Sequence, residues 1–421
     1  MRLLHTADWH LGISTGPISR AEDHDRFLDW LLDRLSVDEV DVLLVAGDVF
    51  DTMQPSADAL RRYYRFLARI AATGISQVVV VGGNHDSASR LQAPAPVLES
   101  LDVHVVGGVG PGTLEDDTCV VPLRDRAGEV RAVALAVPYI HEFRLGVRTT
   151  ELDRSEARGA FVERFTQVYR SLTDRAEASW PGVPVVALGH MTVGEGTDRD
   201  EYPQEIHQVG TIDALPPDVF DPRIRYVALG HIHRCRPTDA SRRAWYSGTP
   251  VATSLNETST RKVLLVELDE ETGNVSEVRT SEVPASRALL EIEGAPDVLV
   301  ERVGGLRWDE PLPPLLFLRA VTDHMPSDLQ SRLQEALGAH PEDGRPAIVE
   351  LRQLRETELP ESEARPQAGL DTLTPPQVFE ALLRARGFSD ADDLVSAFSE
   401  LRSMTEDDVE AACARISRGK G

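Results

Sequence analysis

From residue 1 to about residue 285, short apolar runs rich in β-branched residues alternate with stretches of helical periodicity. Strands are predicted over Asp41 to Ala46, Gln77 to Val81, Val103 to Val106, Val130 to Val137, Val183 to Leu188, Arg225 to Leu229 and Lys262 to Leu268. Helices are predicted over Ala21 to Leu35 and Ser56 to Thr73. Strand–helix alternation of this kind favours a largely parallel sheet with helices on its faces. Later strand-like runs, at Ala244 to Ser247, Lys262 to Leu268 and Val275 to Thr280, follow one another without helices. They suggest a second, more antiparallel sheet packed on the first.

Near residue 286 the pattern changes. Leu289 to Glu293, Leu315 to Val321 and Ala347 to Leu351 read as strands, with an amphipathic helix from Ser327 to Leu337. A stretch rich in Pro, Glu and Ser over 357–376 marks a linker. Beyond it, Val378, Phe379, Leu382 and Leu383 form one apolar helical stripe, and Leu394, Val395, Phe398 and Leu401 form another. The expected organisation is therefore a main domain over 1–285, a small α+β domain over 286–356, the linker, and a helical segment over 377–421.

The composition, 41% hydrophobic and 27% charged, is that of a globular protein, and no apolar run is long enough to span a bilayer. The first strand and first candidate ligand stand where a leader peptide would be, and Cys119, Cys235 and Cys413 lie far apart. Both features fit a cytoplasmic protein with free thiols. The net charge of −25 argues against a chain that binds nucleic acid by charge alone. A bound metal pair would reverse that sign locally. Arg61, Arg65 and Arg69 share one helical face; a solvated face and a phosphate track are both open readings.

Five short strings carry the chemistry: Asp8-Trp9-His10, Gly47-Asp48, Gly83-Asn84-His85-Asp86, Gly189-His190 and Gly230-His231-Ile232-His233. Each follows an apolar run that reads as a buried strand. Asp8 and His10, like His231 and His233, are two apart, so at a strand end both side chains of a pair point the same way. Asp48 offers two acceptor oxygens and Asn84 a neutral amide oxygen. Singly, each string also reads as a turn, a helix cap or a polar strand end. Together, in series, they supply the carboxylate, imidazole and amide donors that two hard or borderline divalent ions require, with no thiolate. Two ions so held activate water and clamp a phosphate at once.

The order of these strings resembles the calcineurin-like metallophosphoesterase superfamily. Thr6 to Gly12, Ala46 to Thr52 with Pro55-Ser56, Gly83 to Ser87, Tyr226 to Arg234 and Tyr246 to Pro250 are similar to its SbcD-type DNA nucleases. The close likeness covers residues 1 to about 270; beyond that it is one of layout. It implies a four-layer α/β/β/α domain with a small α+β capping domain and a C-terminal helical tail. It further implies that Asp8, His10 and His233 hold one ion, that Asp48 bridges, and that Asn84, His190 and His231 hold the other. Manganese is the metal it implies; the ligand types alone also admit iron, zinc or magnesium. His85 would act on the departing or attacking oxygen, with Asp51 orienting it, while Asp86 anchors the turn. Arg234 and Arg236, just past the last ligands, stand where they would meet a DNA phosphate.

The resemblance implies action on duplex ends as a 3′→5′ exonuclease and on single strands and hairpins as an endonuclease, in DNA repair, recombination and replication. The chain would work at the nucleoid as a homodimer within a heterotetramer, its C-terminal stripes bound to the coiled coil of an SbcC-type ATPase. Packing of those stripes on their own domain is the other open reading. A phosphoesterase for small molecules or proteins, and a metal-free binding scaffold, are the alternatives. The acidic stretch from Gly194 to Glu201 is the part least like that family, and Phe50-Asp51-Thr52-Met53 departs from the Val-Asp-Arg-Gly of phosphoprotein phosphatases.

Overall fold

The computed structural model describes residues 1–355, except 111–113, 115–116, 148–153, 195–213, 258, 339 and 341–343, together with residue 394. In chain order the first half holds β1 (Arg2–Thr6), the hairpin β2 (Ser14–Thr15) and β3 (Ile18–Ser19), α1 (Ala21–Val37), β4 (Val42–Ala46), α2 (Ala57–Ile70) and β5 (Gln77–Val81). Short helices α3 (Ala88–Gln92) and α4 (Ala95–Leu98) lead to β6 (Val103–Val106), β7 (Val120–Arg124) and β8 (Val130–Ala136). Then come α5 (Arg154–Ser179), β9 (Val185–His190), β10 (Ile224–Gly230), β11 (Arg236–Pro237), β12 (Ala244–Tyr246), β13 (Lys262–Leu268) and β14 (Val275–Glu282).

The strands form two six-stranded sheets, ordered β14-β13-β1-β4-β5-β6 and β11-β12-β10-β9-β8-β7. In the first, β1, β4, β5 and β6 are parallel. In the second, β12, β10, β9 and β8 are parallel. The late strands do not make the expected antiparallel second sheet. β13 and β14 return to the first sheet, where β13 pairs antiparallel with β1. β12 lies parallel to β10, because β11 between them in the chain runs back along the outer edge, antiparallel to β12. Antiparallel pairs are confined to the outer strands of both sheets.

Both faces of the central strands are buried, which is why they read as unbroken apolar runs. Leu4, Leu43, Val45, Val78 and Val80 point into a core with Phe27, Leu31 and Leu35 of α1 and Tyr63, Phe66 and Ile70 of α2. The alternate residues face the second sheet. His5 of β1 shows this directly, its ring lying between the Tyr226 hydroxyl at 2.9 Å and the Leu229 carbonyl at 3.2 Å, both on β10. Ser56 caps α2, its hydroxyl accepting from Ala59 N at 3.2 Å. The later part of α5 covers the second sheet: Tyr169 stacks edge-on against Phe220 and its hydroxyl donates to Leu188 O. The result is a four-layer α/β/β/α domain.

Residues 289–354 fold as a third sheet, β15 (Leu289–Gly294), β16 (Leu315–Val321) and β17 (Ala347–Leu354), all parallel. Helices α6 (Pro296–Gly304) and α7 (Leu329–Leu337) cross over between them. Leu299, Val303, Leu329, Leu333, Leu316 and Leu318 form a core of their own. The α6 helix was not expected from the sequence; it is nine residues long, and its Val298-Leu299-Val300 run reads equally as a short strand.

By its contacts the chain divides into two units, the larger being Met1–Ile140, Thr166–Val209 and Ala214–Glu361. In the smaller, a single turn over Glu142–Leu145 precedes the start of α5, where Arg164 donates to Leu145 O at 3.0 Å. The expected linker and C-terminal helical stripes lie outside the described residues, apart from Leu394.

Candidate metal centre

All five strings emerge at the C-terminal ends of parallel strands, where open α/β sheets bind their ligands. Asp8 and His10 follow β1, Asp48 follows β4, Asn84 and His85 follow β5, His190 ends β9, and His231 and His233 follow β10. The loops after β1 and β4 run side by side, with Asp8 N donating to Gly47 O at 3.0 Å and His10 N to Asp48 O at 3.0 Å. These contacts fix the two carboxylates against each other.

The backbone is strained at four of the candidate ligands. Asp8, His10, Asp48 and His231 have φ of 53°, 47°, 49° and 94°, a region L-residues rarely adopt. Such strain costs on the order of 1–3 kcal/mol per residue and persists where the surroundings impose it. The glycines serve close approach. A Cβ on Gly47 would strike the His190 ring, one on Gly83 the Asp48 carboxylate, and one on Gly230 the Ala46 carbonyl. The Gly-ligand pattern of the strings therefore has a packing cause.

Within the cluster, His10 Nε2 and His233 Nε2 face each other at 3.1 Å. Asp48 Oδ2 lies 3.7 Å from His10 Nε2 and 3.4 Å from His190 Nε2, so it stands between two groups of donors. On the far side, Asn84 Oδ1 is 3.0 Å from both His190 Nε2 and His231 Nδ1. Asp8, His10 and His233 form one compact set of ligand atoms, and Asp8, Asp48 and His190 another. The seven residues expected as metal ligands are thus brought together from positions as far apart as Asp8 and His233.

The donor set fits divalent ions. Asp8 Oδ2 and His10 Nδ1 are buried without a hydrogen-bond partner. A carboxylate oxygen left bare in the interior is costly unless a cation meets it. Burial pushes the Asp8 carboxyl up to about 6, against the opposing pull of His190 and His233. Burial also resists charge on Asp48, yet His190, His10 and His85 outweigh it and hold that carboxyl far below its usual range. His10 and His231 are driven down by burial, His231 to about 3, which leaves them neutral with lone pairs to offer. His190 is raised to about 9, because Asp48 and Asp8 overcome the effect of burial.

His85 stands at the exposed mouth, its ring edge-on to His10 at a centroid distance of 4.9 Å. Its backbone N–H donates to Asp48 Oδ1 at 2.8 Å and its Nδ1 to the Asp51 carbonyl at 2.8 Å. The oxygen hydrogen-bonded to the His85 ring is the Asp51 backbone carbonyl, while an Asp51 carboxylate oxygen lies within 4.8 Å of ring nitrogens of His85 and His10. The turn after Phe50 aims the carbonyl at His85 and sends the carboxylate to within 3.7 Å of His10 Nδ1. Asp86 does anchor the turn, accepting from Val49, Phe50 and Gly83 backbone N–H groups at 2.9–3.1 Å.

Arg234 is exposed and Arg236 half-buried on β11, outside the ligand cluster. Arg61 and Arg69 on α2 pair with Asp58 and Asp29, as on a solvated face. The acidic stretch after Gly194 lies outside the described residues. One participant escaped the sequence reading: Glu257, whose Oε1 lies 2.8 Å from His233 Nδ1. A lone Glu in Asn256-Glu257-Thr258-Ser259-Thr260 carries no periodic signal that would have marked it.

The family model described as calcineurin-like phosphoesterase matches residues 1–235. Among curated proteins, the chain is similar to the SbcD subunit of the SbcCD nuclease of Rhodobacter capsulatus, with 41% identity over 261 residues, which are 61% of this chain and 64% of that one. It is also similar to the SbcD subunit of Escherichia coli K12, with 31% identity over 345 residues, 79% of this chain and 81% of that one. A third SbcD subunit, from Bacillus subtilis, is 34% identical over 271 residues, 63% of this chain and 66% of that one. The matched family model and the four-layer fold with candidate ligands at its strand ends agree: the chain belongs to the calcineurin-like phosphoesterase family, among the relatives of the SbcD nuclease subunits.

Proposed function

We propose that this chain is a metal-dependent DNA nuclease subunit, removing nucleotides from duplex ends in the 3′→5′ direction and cutting single strands and hairpins. Its relatives are named as nuclease subunits of a complex, and an SbcC-type ATPase is the partner this implies. The observation that carries the reading is Asp48, with one carboxylate oxygen between the His10 and His190 imidazoles.

Asp8, His10 and His233 would hold one ion, Asn84, His190 and His231 the other, and Asp48 both; manganese is the metal we propose. Bound divalent ions would lower the pKa of water and neutralise charge on the phosphate. The chain's own groups do the rest. His85 N–H steadies the Asp48 carboxylate at 2.8 Å. With Nδ1–H donated to the Asp51 carbonyl, His85 is left with Nε2 to take up a second proton from solvent, and that proton is the one it can pass to the departing oxygen. Arg234 and Arg236 would meet the DNA backbone, and the ATPase partner would supply the charge that a −25 chain lacks. Residues 286–356 would cap the site and residues 377–421 would bind the partner's coiled coil. Assembly as a dimer within a heterotetramer at the nucleoid completes the proposal.

The test sets manganese-dependent degradation of end-labelled duplex DNA beside turnover of an aryl phosphate diester. DNA degradation with weak diester turnover is expected. Efficient diester turnover with intact DNA would move the chain to small-molecule phosphoesters.

A further inference from the structure

The described residues of the loop from Thr249 to Arg261 are not among the candidate ligands, yet they hold His233 through three contacts. Thr249 N donates to the His233 carbonyl at 3.2 Å, and Arg261 Nη1 donates to the same oxygen at 3.2 Å. The third contact is the one to the ring, His233 Nδ1 to Glu257 Oε1 at 2.8 Å. Glu257 is itself fixed on both oxygens. The Thr253 hydroxyl donates to Oε1 at 2.6 Å, Thr253 N donates to Oε2 at 2.8 Å, and Arg261 Nη1 lies 3.3 Å from Oε2. Gly248 lets this loop lie directly on the His233–Cys235 backbone, since a Cβ there would strike the His233 carbonyl and Cys235 N.

The other rings are held differently. His190 Nδ1 donates to the Ala46 carbonyl and His85 Nδ1 to the Asp51 carbonyl, both at 2.8 Å. Among the described hydrogen bonds of the cluster, a glutamate meets an imidazole at His233 only. A carboxylate on one ring nitrogen keeps the proton there and makes the other nitrogen a stronger donor to a metal. That other nitrogen is Nε2, the atom that faces His10.

We propose that Glu257 is a positioning residue for the metal site: it locks His233 in the Nδ1–H tautomer and thereby sets the affinity for the ion held with Asp8 and His10. This rests on the two-metal reading above, and the experiment separates the two. The full-length chain is stripped of metal and titrated with manganese by calorimetry, as wild type, Glu257→Gln and Glu257→Ala. The ring nitrogens of the same metal-free samples are followed by ¹⁵N-histidine NMR. For Glu257→Ala, manganese affinity at one of the two ions is expected to fall 10–100-fold, with the His233 signals moving toward the Nε2–H form. Glu257→Gln, which keeps an acceptor oxygen but no charge, is expected to retain the tautomer and lose less affinity. Equal manganese affinity in wild type and both variants would overturn the assignment of Glu257 alone, as would weaker binding with an unchanged His233 tautomer in Glu257→Ala. A wild-type chain that takes up no manganese would overturn the two-metal reading itself. Should Glu257→Ala fail to fold, Glu257→Gln decides: no loss of affinity with its charge removed counts against the proposal.

Discussion

His10 and His233 lie 223 residues apart in the chain, and their Nε2 atoms face each other at 3.1 Å. Two imidazole nitrogens at that distance share either one proton or one cation. With Asp8 Oδ2 buried beside them and unpartnered, the cation is the arrangement that satisfies all three groups.

Replacement of Asp48 by Asn tests the carboxylate between the two donor groups. The amide oxygen can still accept from His85 N–H, so the fold should hold and the melting temperature should stay within a few degrees. Nuclease activity should fall by about 100- to 1000-fold or more, the scale of losing one preorganised charge. An active, metal-replete Asp48→Asn protein would refute the site.

Gly83→Ala tests whether close approach explains the glycines. The added methyl would meet both the backbone nitrogen and the carboxylate of Asp48. A loss of about 1–3 kcal/mol of stability is expected, the usual cost of overpacking, together with weaker manganese binding. Gly159→Ala on α5, where the methyl meets open space, is the control and should be neutral or slightly stabilising. Equal effects of the two substitutions in denaturant unfolding would contradict a packing role for Gly83.

Acid sensitivity follows from His24. Burial pushes its pKa down to about 4, and its Nε2–H donates to the Trp9 carbonyl at 2.7 Å. The unfolded chain protonates this histidine near its ordinary value of 6.5, so between pH 6.5 and 4 the unfolded state binds more protons. Stability that is whole above pH 6.5 is therefore lost as the pH falls through that window, on the order of 3 kcal/mol by pH 4. His24→Gln keeps an N–H donor without the titration. Its unfolding free energy should fall less steeply than wild type's between pH 7 and 4.5; parallel curves would count against this origin.

Deletion of residues 370–421 tests the proposed role of the C-terminal segment. Co-purification with an SbcC-type partner should be abolished while manganese-dependent nuclease activity of the isolated chain survives. Unchanged co-purification would return the apolar stripes to a purely internal packing role.

The clustering of the candidate residues is legible in the sequence because they sit at strand ends. Val42 to Ala46 is buried on both faces, so it reads as an apolar run, and the first residues able to carry charge come where it ends, at Gly47-Asp48. Sheet membership was not legible. Nothing in the periodicity of Lys262 to Leu268 says that it pairs with Arg2–Thr6, because that choice is made by packing between segments some 260 residues apart. The α5 helix was missed for a related reason. Its buried Tyr169, Leu172 and Ala176 are set among Arg, Glu, Asp, Ser and Thr, and the apolar stripe is thin. Local chemistry hid the roles of Asp51 and Glu257. Which Asp51 oxygen meets His85 depends on the turn, and Glu257 reaches His233 only through the loop that follows Gly248.

The most direct test of the two-ion site is anomalous diffraction from crystals of the manganese-loaded chain. Two manganese peaks are expected on either side of the Asp48 carboxylate, one among Asp8, His10 and His233 and the other among Asn84, His190 and His231. A single peak, or none in contact with Asp48, would contradict the reading of the five strings as one centre.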